Sequence, residues 1–128
     1  MKRLSVLLLL VAIAGACAPA APRSVTIEIH YSHYSMSQID VPAGVPITFT
    51  IRNDDPIDHE WMIGDLAMHE RHRLGTETVH ASRPDEITIP ALSTRTTTLT
   101  FPVPMTLEYM CHLPGHEVYG MVGVLVAR

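Results

Sequence analysis

Residues 110–121 read Met-Cys-His-Leu-Pro-Gly-His-Glu-Val-Tyr-Gly-Met, which sets Cys111, His116 and Met121 at Cys-x4-His-x4-Met spacing. A thiolate, a neutral imidazole and a thioether make a soft, mixed donor set. With one more imidazole, that set suits copper in a trigonal site with a long axial thioether, able to pass between Cu(I) and Cu(II) with little rearrangement. Pro114-Gly115 favours a tight turn between the thiol and the imidazole. The second imidazole is His59, in the polar stretch Asp-Asp-Pro-Ile-Asp-His-Glu-Trp over 54–61. Zinc accepts thiolate and imidazole, but a thioether is a poor zinc ligand. A domain that has lost its metal, with Cys111 and Met121 serving only as packing, is the plain alternative to weigh against this expectation.

Such ligands need a frame that brings distant segments together. Short runs with period-2 alternation follow one another along the chain: Val25/Ile27/Ile29/Tyr31, Ile39/Val41, Ile47/Phe49/Ile51, Trp61/Ile63 and Ile87/Ile89. After these come 96–101, Leu107/Tyr109/Cys111 and Val122/Val124/Val126. Pro42-Ala43-Gly44 and Asn53-Asp54-Asp55-Pro56 punctuate them as turns. Many short strands separated by Gly/Pro turns predict an all-β, two-sheet antiparallel Greek-key sandwich, with Trp61 and Phe49 in its core. The stretch 65–83 lacks alternation. Its first half predicts about two helical turns closed by Gly75, making a short, partly helical insertion over the sandwich.

With 128 residues there is room for one domain, and the amino terminus is not part of it. Lys2-Arg3 followed by the apolar run 4–14 is too short to span a bilayer and reads as a secretory signal over 1–16. Ala14-Gly15-Ala16 allows ordinary cleavage, while Cys17 also completes a sequence resembling a lipoprotein signal, which makes Cys17 the candidate lipidation site. Residues 17–23 form a Pro/Ala tether, and 24–128 the domain. The only other cysteine is Cys111, so no disulfide framework is expected. Without residues 1–16, seven arginines face thirteen acidic residues, a net charge of −6 with no lysine. An acidic domain without a basic stripe excludes nucleic acid as the expected partner.

On His59, Cys111, His116 and Met121, the chain from about 25 to 128 resembles the cupredoxins, small blue copper proteins that include plastocyanin, azurin and auracyanin. The resemblance implies one type 1 mononuclear copper held by those four residues. It also implies electron entry and exit at an apolar surface around His116, with Leu113 and Pro114 beside it. The expected role is an exported, monomeric, non-enzymatic carrier of single electrons. It would be periplasmic or anchored at the outer face of a bacterial membrane, touching the membrane only through a lipid on Cys17. Its partners would be redox proteins such as a cytochrome or a terminal oxidase. Where plastocyanin- and azurin-like proteins often carry Asn after the first histidine, this chain has Glu60, so the surroundings of the site differ. Cys-His-x3-His-x3-Gly-Met is also similar to the last motif of multicopper oxidases. Met110 and the lack of any His-x-His pair exclude that reading, leaving His112 a structural or solvent-facing role.

Eight histidines invite a second metal site. Met68, His69 and His72 could share a helical face, with His80 near in sequence. A site there would favour an alternative function, periplasmic copper binding for tolerance or delivery. The interleaved Glu70, Arg71 and Arg73 suit an ordinary polar surface equally well.

Overall fold

The structure is a computed structural model, described over residues 23–76 and 83–128. The expected signal, the tether through residue 22, Cys17 and His80 lie outside the described residues. The elements are β1 (Ser24–His30), β2 (His33–Tyr34), β3 (Gln38–Val41), β4 (Pro46–Asn53), β5 (His59–Gly64), α1 (Leu66–Arg73), β6 (Glu86–Ile89), β7 (Thr94–Thr100), β8 (Met105–Met110) and β9 (Val122–Ala127). They form two facing sheets, ordered β2-β1-β4-β7 and β3-β9-β8-β5-β6.

The expected sandwich is present, but neither sheet is purely antiparallel. β1 runs parallel to β4 and β3 parallel to β9, while the other pairings are antiparallel. Alternation in a strand reports which face is buried and carries no information on the direction of the neighbour, so the sequence could not separate the two arrangements. Val25, Ile27 and Ile29 of β1 and Ile47, Phe49 and Ile51 of β4 point inward as the alternation predicts. They meet Trp61, Ile63, Tyr109 and Leu125 from the other sheet in one core. Phe49 lies 5.0 Å from Trp61, centroid to centroid.

Two local expectations are corrected. Tyr31 is not in the first strand: it sits in the following turn with φ +52°, mostly exposed. In β9 the buried residues are Gly123, Leu125 and Ala127, not the three valines. Val-Gly-Val-Leu-Val-Ala is apolar at every position, so alternation could not choose its inner face, and a one-residue shift inverts it.

The insertion begins as predicted. Asp65 caps α1 by accepting from the Met68 amide at 2.7 Å, and Gly75 follows the helix with φ +63°. α1 packs on the outer face of β5, which buries every residue of that strand on both sides. No helix among the described residues is long and apolar enough to cross a membrane.

Candidate metal centre

Three strand ends converge at one end of the sandwich. His59 opens β5 after the 54–58 loop, Cys111 follows β8, and Met121 precedes β9. The connecting segment supplies its own hydrogen bonds. His116 N donates to Leu113 O, Tyr119 N to Gly115 O, Gly120 N to Glu117 O and Met121 N to His116 O, each at 3.0 Å. The Cys111 amide then donates to Met121 O at 3.1 Å, clasping the two ends of the loop. Thiol and imidazole are thereby mounted on a closed turn rather than on a free loop.

The donor atoms of His59, Cys111 and His116 all lie within 4.8 Å of one another. Cys111 Sγ and His116 Nδ1 are 3.2 Å apart, as are His59 Nδ1 and His116 Nδ1. His59, Cys111 and Met121 are fully buried, and His116 alone of the four is part-exposed. Beside it Leu113 is half-buried and Pro114 exposed, and the same loop exposes Val118 and Tyr119. The one part-exposed ligand candidate is thus flanked by apolar side chains of its own loop.

His59 Nε2 lies 2.8 Å from Asp55 Oδ2. When the imidazole is neutral, that contact places its proton on Nε2 and leaves the Nδ1 lone pair facing Cys111 and His116. Asp55 is itself fixed, accepting from the Tyr31 and Ser32 amides at 2.7 and 2.8 Å. Burial pushes its carboxyl toward protonation. The Ser32 and Tyr31 amides and His59 outweigh burial, and its pKa falls below the ordinary carboxylate value. Burial lowers the pKa of His116, helped by His59 beside it, which keeps the imidazole neutral and available as a donor.

Around the sulfur, the Glu60 amide donates to Cys111 Sγ at 3.3 Å. Burial raises the Cys111 pKa, opposed by the amides of Glu60 and Leu113. In a buried apolar setting the thiol resists ionising unless a cation takes the charge, which is how a metal-binding thiol behaves before its metal. Glu60 fills the position where Asn was noted as common. Its carboxylate accepts from the His112 amide at 3.2 Å and so ties the β5 and β8 strand ends together. Tyr109 packs in the core on the Cys111 face of its strand, and burial pushes its pKa up to about 12. Neither Asp55 nor the bracing role of Glu60 was anticipated. Asp55 precedes His59 by four residues, the only signal the sequence offered.

Of the residues suggested for a second site, His69 and His72 both pack against His112, with ring centroids 5.1 and 4.8 Å from it. Met68 and His69 are buried, which removes the exposed helical face that reading required. Met68 Sδ lies 3.9 Å from an Arg83 guanidinium nitrogen, and His69 Nδ1 lies 2.9 Å from His112 Nε2. His72 also reaches toward Glu60 and Glu86.

The family profile described as "Cupredoxin-like domain" matches residues 3–94, a stretch that takes in His59 and ends before Cys111. The copper-resistant cuproprotein CopI of Pseudomonas aeruginosa is 26% identical over 143 residues, covering 87% of this chain and 79% of that protein. CopI of Rubrivivax gelatinosus is 28% identical over 99 residues, covering 74% of this chain and 59% of that protein. Among solved structures, dithionite-reduced auracyanin from Roseiflexus castenholzii superposes with a TM-score of 0.70 at 22% identity, over 85% of this chain and 99% of that one. Auracyanin A, a blue copper protein from Chloroflexus aurantiacus, gives 0.64 at 22% identity, over 84% and 99%. These likenesses are to the fold. Together with the sandwich described above, the profile match shows that the chain belongs to the cupredoxin-like domain family.

Proposed function

We propose that His59, Cys111, His116 and Met121 hold one copper ion as a type 1 centre, and that the protein carries single electrons between redox partners. The observation carrying this is the convergence of one thiol and two imidazole Nδ1 atoms, with His116 Nδ1 lying 3.2 Å from both Cys111 Sγ and His59 Nδ1, in a site where only His116 is part-exposed. Copper bound there supplies a one-electron Cu(I)/Cu(II) couple. The residues do the rest. Asp55 orients His59, the Glu60 amide steadies the sulfur, and the loop bonds hold His116 at the surface. Four protein donors leave no easy position for substrate, which favours electron transfer over catalysis. Leu113, Pro114 and His116 form the electron entry and exit surface, met by a cytochrome or terminal oxidase. The carrier works as an exported monomer, periplasmic or anchored through a lipid on Cys17.

The test is the visible and EPR spectrum of the copper-loaded protein beside Cys111→Ser. The parent shows an intense thiolate-to-copper charge-transfer band that the variant lacks. No band in the parent, or a band that survives the substitution, overturns the assignment.

A second reading is copper tolerance or delivery, favoured by the two relatives named as copper-resistant cuproproteins. The carrier reduces or oxidises a soluble cytochrome rapidly while keeping its copper. The tolerance protein instead passes copper to a chelator or an acceptor protein under the same conditions. Stopped-flow electron exchange and copper-transfer titration on one sample separate the two.

A further inference from the structure

The outer face of β5 and β6, beneath α1, holds polar groups that the copper reading does not use. The register pairs Glu60 with Thr88 and Met62 with Glu86, which sets the two glutamates diagonally on one face of neighbouring strands. The last turn of α1 lowers His72 onto them. Its Nε2 lies 3.5 Å from Glu60 Oε2, and its Nδ1 lies 3.9 Å from Glu86 Oε1. One donor atom from each of the three residues falls within 4.8 Å of the other two. Glu60 and Glu86 are buried and the His72 side chain is only 12% exposed.

Two carboxylates drawn this close in a buried layer repel each other and lose hydration, and a divalent cation held between them would relieve both. We propose that Glu60, His72 and Glu86 form a second metal site for a divalent cation of the Zn²⁺/Cu²⁺ class. Two carboxylate oxygens and one imidazole suit borderline divalent ions, and among first-row divalent metals such a site binds Cu²⁺ most tightly. None of the three donors is sulfur, so the site discriminates against Cu(I). Its ligands differ from the proposed type 1 set, and its existence does not depend on that set. The two are joined through one residue. Glu60 offers its carboxylate to the second site while its own amide donates to Cys111 Sγ, and Glu60 Oε2 also accepts from the His112 amide. A cation on the Glu60 carboxylate therefore bears on the sulfur through a single residue's backbone.

The full chain is loaded with one equivalent of copper, then titrated with Zn²⁺ by equilibrium dialysis while its visible spectrum is recorded. One further equivalent binds, and the charge-transfer band shifts as it does. In His72→Gln and Glu86→Gln, Zn²⁺ affinity falls at least about tenfold while the first copper and its band remain. Total metal, counted by elemental analysis, reads the second site even in a protein with no such band, so failure of the type 1 assignment is separately visible. The proposal is overturned if the loaded parent takes up no further Zn²⁺, or if both variants bind it like the parent. It is equally overturned if His72→Gln lowers stability but leaves Zn²⁺ uptake unchanged, because His72 would then serve only as a packing and hydrogen-bonding partner of the two carboxylates. A circular dichroism melt of each variant confirms that it is folded.

Discussion

Asp55 decides how His59 presents itself. A carboxylate on the far ring nitrogen fixes the tautomer and makes the near nitrogen a better donor, a contribution worth about 10–100-fold in metal affinity. Asp55→Asn is expected to weaken copper binding by about that factor and to raise the reduction potential, because the oxidised ion loses more of its donation. Competition titration and voltammetry check the two halves. His112 gives a pH dependence. Burial first, then the neighbouring His69 and His72, push its pKa down to about 4. An unfolded histidine takes up its proton near pH 6.5, while the folded one refuses it until about 4, so stability is lost as pH falls through that interval. Urea denaturation of the metal-free protein at pH 7 and pH 4.5 should differ by at most about 3 kcal/mol on this account, and His112→Asn should flatten the slope. The four ligand candidates were legible because their donor chemistry is rare and their spacing local. Asp55 was not, because its role depends on the chain turning back at Tyr31 and Ser32 to hold it. Both residues take positive φ there, and nothing in their identities announces it.

At the level of elements, β8 and β9 interlock at one position. A Cβ on Gly123 would lie 2.2 Å from Tyr109 Cζ and 2.3 Å from its hydroxyl oxygen. Tyr109 is fully buried and its hydroxyl donates to the Met36 carbonyl, so the ring has nowhere to go. Gly123→Ala is therefore expected to destabilise by about 1–3 kcal/mol through overpacking, measured by denaturant midpoint. It should also disturb the copper spectrum, since Tyr109 and Cys111 are two residues apart on one face. The strands were readable wherever polar residues alternate with apolar ones, as in β1 and β4. They were ambiguous in β9, where nothing polar marks the outside, and Gly123 rather than any valine turned out to face the core. Burial on both faces of β5 likewise follows from α1 lying over it, a tertiary fact that the sequence of 59–64 does not contain.

For the molecule as a whole, the proposed ligands come from two distant stretches of chain, the start of β5 and the segment between β8 and β9, so metal binding and folding are linked. A ligand that binds only the native state adds about 2.7 kcal/mol when its free concentration is 100 times Kd. Copper is thus expected to raise the thermal midpoint, and Cys111→Ser to remove most of that increment, as scanning calorimetry with and without the ion would show. Sandwich class and approximate strand positions were legible from alternation. The two parallel pairings were not, because strand direction is settled by which segments meet in space.

The place of β9 in its sheet has a consequence for how this protein is made. It lies between β3 and β8, holding one by parallel and the other by antiparallel pairing. Until it emerges from the ribosome, β3 has no neighbour in its own sheet and Met121 has no anchored strand behind it. The second sheet therefore closes only when the last strand is made, with β3 docking at the same step. Any binding that uses Met121 therefore waits for the carboxy-terminal strand to dock.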